Sequence, residues 1–579
     1  VQVRGYSLLS FFFFFFKKTN KKHKLEIYCL VSVVWTTRHL YLQNLSINSM
    51  QNPVSVTPPP NTTTNLISTM DAFSLVVLVL AWVFALLYLP KILKSRRNPL
   101  KLPPGPKPWP IIGNFDLLGP LPHQSLHQLS LKYGKTMQLQ FGSYPVFVTS
   151  SLDIAKQILK TYDHMFASRP QTAAGKYTTY EYSDLAWAPY GPYWRQGRKI
   201  YLTELFSAKR LESYEYMRIE EMREFTRRLY RNCGKTIELK DYLSHYTLSI
   251  ISRIVLGKKY FSASESEKEI VTLEEFQEML DELFLLNGVL NIGDWIPWLD
   301  FLDLQGYVKR MKKLKVRFDR FHDHVIDEHN AKRKATKNWQ PKDMVDLLLQ
   351  LADDPELEVK LTRDNIKGLT QDLIAGGTDT AATMGDWSMS ELLKKPQLFK
   401  RVTDELDRVV GRDRWVEEKD IPQLPYIEAI MKEAMRMHPS AVMLAPHLAL
   451  QDSKVGGYDI PKGTRIFINT WSMGRDPDLW EDPEDFRPER FFGKGIDIKG
   501  HNFELLPFGS GRRMCPGYPL GTKMILVSLA NMLHGFTWEL PPGMKPEDVK
   551  RDEVFGLATQ RKYPTVAVAK PRLPLHLYN

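Results

Sequence analysis

Pro507-Phe508-Gly509-Ser510-Gly511-Arg512-Arg513-Met514-Cys515-Pro516-Gly517 is the stretch on which the reading of this chain turns. A cysteine set between a Gly-rich turn and Pro516, with two arginines just ahead of it, suits a thiolate held in a rigid loop whose backbone N–H groups point at the sulfur. Glycine lets the backbone curl close, and nearby positive charge favours the deprotonated sulfur. That is a metal-ligand environment. An isolated cysteine is more often a small core hydrophobe, so the spacing carries the argument. Phe508, Gly511, Arg513, Cys515 and Gly517 fall in the pattern F-x-x-G-x-R-x-C-x-G, five fixed positions in ten residues.

This pattern resembles the haem-binding loop of the cytochrome P-450 superfamily. The resemblance implies that Cys515 is the axial thiolate of the iron of haem b, and that Arg513 meets a haem propionate. Thiolate ligation pushes electron density onto iron and favours O–O cleavage.

Composition sets the outer limits. The 579 residues, 43% of them hydrophobic and 25% charged, can bury one large core. Cys29, Cys233 and Cys515 are too few and too scattered for a disulfide framework, and no C-x-x-C pair points to zinc. The net charge of +12 shrinks to +6 once residues 1–69 are set aside, because that stretch carries seven basic residues and one acidic. No arginine-rich face with interleaved aromatics is present, so a nucleic-acid partner is not expected.

Taken in order, residues 1–69 hold a run of six phenylalanines (Phe11 to Phe16), scattered lysines and a Pro/Thr/Asn-rich piece from Pro53 to Asn65. They read as a non-native or disordered leader, a gene-model extension ahead of a start at Met70 or Met50. Peptides recovered from Lys24 to Arg38 of the natural protein would sink that idea. Residues 70–90 read as a transmembrane anchor: Ala72 to Leu89 is eighteen residues without a charge, close to the roughly 20 that span a bilayer core. Lys91, Lys94, Arg96, Arg97 and Lys101 follow, which places everything downstream on the cytosolic side. Within residues 91–111 the run Leu102-Pro103-Pro104-Gly105-Pro106-Lys107-Pro108-Trp109-Pro110 makes a stiff, extended hinge. Anchor, basic stop and Pro-rich hinge in this order resemble the N-terminus of microsomal cytochromes P-450, which implies a single-pass endoplasmic reticulum protein. Residues 112–579 show no second linker and no internal repeat, and read as one catalytic domain. Met137–Phe141 and Val146–Val148, separated by Gly142-Ser143-Tyr144-Pro145, predict a β-hairpin. Later segments are helical by period, so the expected fold is mainly α with a small β-sheet subdomain, the cytochrome P-450 fold.

Four further motifs carry chemistry. Trp194 and Arg198 lie one turn apart on a helix opened by Tyr190-Gly191-Pro192, presenting an indole N–H and a guanidinium that could share one carboxylate; the resemblance assigns them to a propionate. Leu361 to Lys394 is the longest helical pattern, with Thr362 or Asp364 as cap and Pro396 as stop. Its centre, Ala375-Gly376-Gly377-Thr378-Asp379-Thr380, holds two glycines, each costing about 1 kcal/mol against alanine, which packing alone would hardly justify. The stretch matches the family's oxygen-activation pattern, and the resemblance makes Asp379 and Thr380 the catalytic proton relay. Ala381 departs from the Thr or Ser frequent after that threonine, which leaves Thr380 as the hydroxyl concerned. Glu433 and Arg436 form an i, i+3 pair before His438-Pro439, an arrangement common on solvated faces. The family adds a third partner, here Arg490, and the three then form a structural network locking the core behind the Cys515 loop. After that helix, Ser440 to His447 resembles a chamber-lining segment in which His447 reaches a propionate. Tyr180, Tyr182, Trp187, Phe284 to Ile292 and Phe555 to Ala558 are further lining candidates, each with an ordinary core role as its alternative.

Five motifs in the family's order cover Lys101 to the C-terminus. With Asp294-Trp295-Ile296-Pro297-Trp298-Leu299-Asp300 they most resemble the large plant group holding flavonoid hydroxylases and terpenoid oxidases. The implied activity is a monooxygenase of a lipophilic metabolite, by hydroxylation or oxidative C–C cleavage, taking single electrons from NADPH-cytochrome P-450 reductase. Two other readings stay open: a reductase-independent haem-thiolate isomerase or dehydratase, against which an intact Asp379-Thr380 pair argues, and a non-catalytic haem-binding protein.

Overall fold

The computed structural model describes residues 77, 78, 81, 82, 85, 100–260 and 270–578. The chain divides into units 1–98 and 99–579. In the first, Val77, Leu78, Ala81, Trp82 and Ala85 are helical. The leader expected over 1–69, most of the anchor over 70–90 and the start of the hinge lie outside the described residues. No helix among the described residues is long and apolar enough to cross a membrane.

The second unit is built around the helix Arg363–Lys394. Thr362 caps it, its side chain accepting from Asn365 N while the Asn365 side chain accepts from Thr362 N, a reciprocal capping box. Thirty-two residues at 1.5 Å each extend roughly 48 Å. The helix Leu239–Leu256 lies against it, and small residues set the approach. A Cβ on Gly377 would stand 2.4 Å from Ile251 Cδ1, and one on Gly385 2.9 Å from Leu243 Cδ1. Packing therefore does account for Gly377, against the sequence expectation, whereas a Cβ on Gly376 would meet nothing within 4 Å. Between Ala375 and Thr380 the rod is continuous α-helix. Tyr518–Gly535 and Pro425–Met437 pack on other sides of the rod, and one large apolar cluster joins all of them.

The hairpin forms with longer strands than expected: Thr136–Phe141 pairs with Tyr144–Thr149, Phe141 opposite Tyr144, around the two-residue turn Gly142-Ser143. Thr136-Met-Gln-Leu-Gln-Phe141 alternates strictly, with Met137, Leu139 and Phe141 buried, as a half-buried strand should. Gly142 has φ +53°, and a Cβ there would lie 2.3 Å from Trp295 O. Arg465–Ile468 joins the hairpin in parallel and His447–Leu448 completes a four-stranded sheet. Thr236–Glu238, Phe536–Glu539 and Val566–Pro571 make a three-stranded sheet elsewhere. The unit is mainly helical with small sheets, as the sequence led us to expect.

Candidate active site

Cys515 sits two residues after a short turn of 3-10 helix, Gly511–Arg513, and three before the helix Tyr518–Gly535. Gly511 is required: its φ is +69° and a Cβ would fall 1.7 Å from Leu159 O. Cys515 N donates to Phe508 O at 2.9 Å, closing the loop. Burial pushes the thiol up, while the N–H groups of Gly517 and Tyr518 and the charge of Arg198 favour the thiolate. The sulfur thus lies at a helix N-terminus with amides aimed at it.

The loop forms one wall of a cavity of about 360 Å³. The facing wall is the long helix, through Asp372, Gly376, Gly377, Thr380, Ala381 and Met384. Trp194, Arg198, Arg169, His447 and Arg513 stand around its edge. Every expected propionate anchor therefore borders one space, although the residues come from segments up to 319 positions apart (Trp194 to Arg513). The cations there have no carboxylate partner among the described residues. Arg513 donates to Ala167 O (2.5 Å), Leu185 O (3.0 Å) and Ala188 O (2.6 Å). Arg169 donates to Ala186 O (3.1 Å), Ala445 O (2.7 Å) and Pro446 O (2.9 Å). Burial, reinforced by the neighbouring guanidiniums of Arg169 and Arg198, pushes Arg513 down to about 8. Burial alone takes Arg169 to about 10 and also lowers Arg198. His447 is held well below its usual value by burial and by Arg169, and its Nδ1 donates to Phe166 O at 2.9 Å. Three guanidiniums at one edge of the cavity, Arg169 buried and Arg198 and Arg513 half-buried, form a receptor for carboxylates.

Two of the expected site residues make contacts that the sequence did not announce. The Trp194 indole Nε1 donates to Leu185 O at 3.2 Å, and Arg198 lies over the ring face, 5.6 Å from its centre. Asp379 does not border the cavity. It is buried on the side of the rod facing Lys240, its Oδ2 lacks a hydrogen-bond partner among the described residues, and burial pushes it up to about 6. Thr380 does border the cavity, its Oγ1 donating to Gly376 O at 2.7 Å.

Behind the loop, Glu433 accepts from Arg436 Nε (2.7 Å) and Nη2 (2.8 Å), Arg490 Nε (2.9 Å) and Arg487 N (2.8 Å). Glu433, Arg436 and Arg490 are all buried, and the remaining guanidinium donors reach carbonyls of Gly474, Pro483, Glu481, Asp482 and Asp485. Among the lining candidates, Phe284, Leu557, Ala558 and most of Ser440 to His447 border the cavity. Tyr180 and Tyr182 do not: their hydroxyls meet His322 Nδ1 and Thr172 O.

Sequence reasoning missed Arg169 and a buried acid pair. Asp372 Oδ2 accepts from Leu185 N (2.8 Å) and Ala186 N (3.3 Å), and Asp184 Oδ1 accepts from Trp187 N (3.1 Å). These carboxylates fix the segment whose carbonyls hold Trp194 and Arg513. Burial raises both, Asp372 to about 6; in Asp184 the facing Asp372 carboxylate acts in the same direction.

The profile of the cytochrome P-450 family matches residues 103–566. The chain is 46% identical over 508 residues to the trimethyltridecatetraene synthase of Zea mays, covering 84% of this chain and 91% of that protein. It is 40% identical over 515 residues to the flavonoid 3'-monooxygenase of Petunia hybrida, covering 88% and 100%. A zebra fish cytochrome P-450 solved with abiraterone superposes with a TM-score of 0.66 at 26% identity, covering 78% of this chain and 100% of that one. The family's cofactor, haem b, brings an iron and two propionates, and the residues present fit it: a sulfur facing the cavity, guanidiniums without carboxylate partners among the described residues, and open space over Gly376. By its matched length, its helical fold and this cofactor chemistry, the chain belongs to the cytochrome P-450 family of haem-thiolate monooxygenases.

Proposed function

We propose that this protein is a membrane-associated monooxygenase that oxidises a lipophilic plant secondary metabolite, a terpenoid by hydroxylation or C–C cleavage or a flavonoid, with electrons from NADPH-cytochrome P-450 reductase. The observation that carries the reading is one cavity bordered by Cys515 on one side, Gly376 and Thr380 on the other, and, at its edge, guanidiniums without a carboxylate partner among the described residues. Bound haem would supply oxygen activation and insertion. Cys515 Sγ would hold its iron, and Arg198, Arg513 and His447 would receive its propionates. Thr380 passes a proton from its hydroxyl into the cavity, while Asp379, behind it and protonated up to about pH 6, holds the reserve. Leu205, Ile251, Val255, Phe284, Leu373 and Met384 give the substrate an apolar wall that excludes water. The Glu433–Arg436–Arg490 network holds the core rigid behind the loop.

The substrate class is supported by the trimethyltridecatetraene synthase, dimethylnonatriene synthase and flavonoid 3'-monooxygenase among the relatives. Residues 70–90 would anchor the chain in the endoplasmic reticulum, with residues 112–579 cytosolic. A second contact with lipid is supported by exposed apolar side chains: Trp298 is 59% exposed and Phe301 81%. Trp109, Ile111 and Ile112 are also exposed. Ile112 O accepts from Gly142 N and Trp295 O from Ser143 N, so the two apolar segments flank one turn.

Membranes carrying the protein and the reductase, incubated with a terpene alcohol and with a flavonoid, test the reading. NADPH-dependent products by mass spectrometry are expected from one class. Substrate conversion without NADPH would favour an isomerase or dehydratase, and haem binding without conversion a non-catalytic protein.

A further inference from the structure

Arg465 is held in an unusual way. It is 3% exposed, and its guanidinium lies between the faces of Tyr144 and Trp295, 3.9 and 4.1 Å from the ring centres. Nη2 donates to Asp294 O at 2.7 Å. Nη1 is buried and has no hydrogen-bond partner among the described residues. A charged donor left unmatched in the interior is costly, and the two rings prevent it from turning elsewhere. The residue forms part of the wall of a second cavity, about 70 Å³, bordered also by Thr172, Asn287, Asp294, Val442 and Phe555. Ala441, Leu444 and Leu557 border both this space and the Cys515 cavity, so the two adjoin along those side chains. Asp294, whose Oδ1 accepts from Ala173 N at 2.7 Å, sets a carboxyl beside the guanidinium. Cation and acid offset each other, which suits the space to a neutral oxygen rather than to an anion.

We propose that Arg465 binds a hydroxyl or carbonyl oxygen of the substrate, so that the protein takes an oxygenated lipophile whose polar end lies at Arg465 and whose hydrocarbon body passes Ala441, Leu444 and Leu557 toward Cys515. This names the substrate class of the monooxygenase reading and rests on it.

Equilibrium dialysis of the haem-loaded protein with farnesol and with farnesene, a matched pair with and without the oxygen, tests the site. Water-to-protein partitioning of each probe is common to all variants, so the informative quantity is the farnesol-to-farnesene affinity ratio relative to wild type. Arg465→Met should lower that ratio roughly tenfold or more, the factor of a hydrogen bond to a charged group; Arg465→Lys should restore most of it. An Arg465→Met protein with an intact CO spectrum and an unchanged ratio overturns the proposal, trapped water then being the partner of Nη1. Should Arg465→Met fail to fold, the products of the wild type decide: farnesol is expected to be oxidised at one end of its chain, remote from the hydroxyl, and oxidation scattered along farnesol overturns the site. Farnesol binding that depends on Arg465 without NADPH consumption would sink the monooxygenase reading and leave the site standing. Oxidation indifferent to Arg465 would do the reverse.

Discussion

Glu433→Gln is the substitution that most directly measures what the buried ion network does. Four donors converge on this carboxylate, and Glu433 and Arg436 side chains are both 0% exposed. Glutamine has the same shape. Its oxygen can keep Arg436 Nη2, Arg490 Nε and Arg487 N, but its amide NH₂ then faces Arg436 Nε, donor against donor, at a position now 2.7 Å apart. Two interior guanidiniums also lose their counter-charge. Breaking one member of a buried ion network costs about 3–5 kcal/mol. Unfolding entropy of about 2 cal/mol/K per residue gives roughly 1 kcal/mol per kelvin over a unit of this size, so the midpoint should fall by about 3–5 °C. Far-UV circular dichroism and haem absorbance, followed in the same thermal scan of the loaded protein, measure it. The combined replacement Glu433→Leu, Arg436→Leu, Arg490→Met leaves no stranded charge and should lie nearer to wild type than Glu433→Gln does. A Glu433→Gln midpoint within about 1 °C of wild type, with full haem content, would refute the reasoning.

Cys515→His should abolish the red-shifted Soret band of the reduced, CO-bound protein, and an unchanged band would overturn the ligand assignment. Asp379 binds its proton more tightly folded, at about 6, than unfolded, so its ionisation removes stability as pH rises from about 4 to about 6 and the loss persists above. Asp379→Asn should therefore be more stable than wild type by on the order of 1–3 kcal/mol at pH 7.5 and little different near pH 4, read from urea midpoints; a difference independent of pH would contradict it. Gly511→Ala combines a left-handed φ with a collision at Leu159 O, and should yield protein without the thiolate band; a fully haem-loaded variant would remove the argument for that glycine.

What the sequence revealed and what it hid follow one physical division. Contacts set by local spacing were readable: the five positions of the Cys515 loop, the capping of the long helix at Thr362, and the strand alternation from Thr136 to Phe141. Contacts that depend on which face of a helix meets a distant segment were not. Arg169 binds carbonyls of Ala445 and Pro446, 276 and 277 positions away, and no local pattern announces that. Gly377 is explained by Ile251, on another helix. The long helix is the instructive case, because its phase was available in the sequence and would have changed the reading. At 100° per residue, Asp372, Gly376 and Thr380 share one broad face, while Asp379 lies about a quarter turn off the threonine. Once Gly376 and Thr380 are taken to face the haem cavity, the acid on that face is Asp372, not Asp379. The structure agrees: Asp372 borders the cavity with Gly376 and Thr380, and Asp379 is buried toward Lys240. The family resemblance paired Asp379 with Thr380; helical geometry turns consecutive residues about 100° apart, so Thr380 meets the cavity and Asp379 stands behind it, away from the face that Asp372 shares.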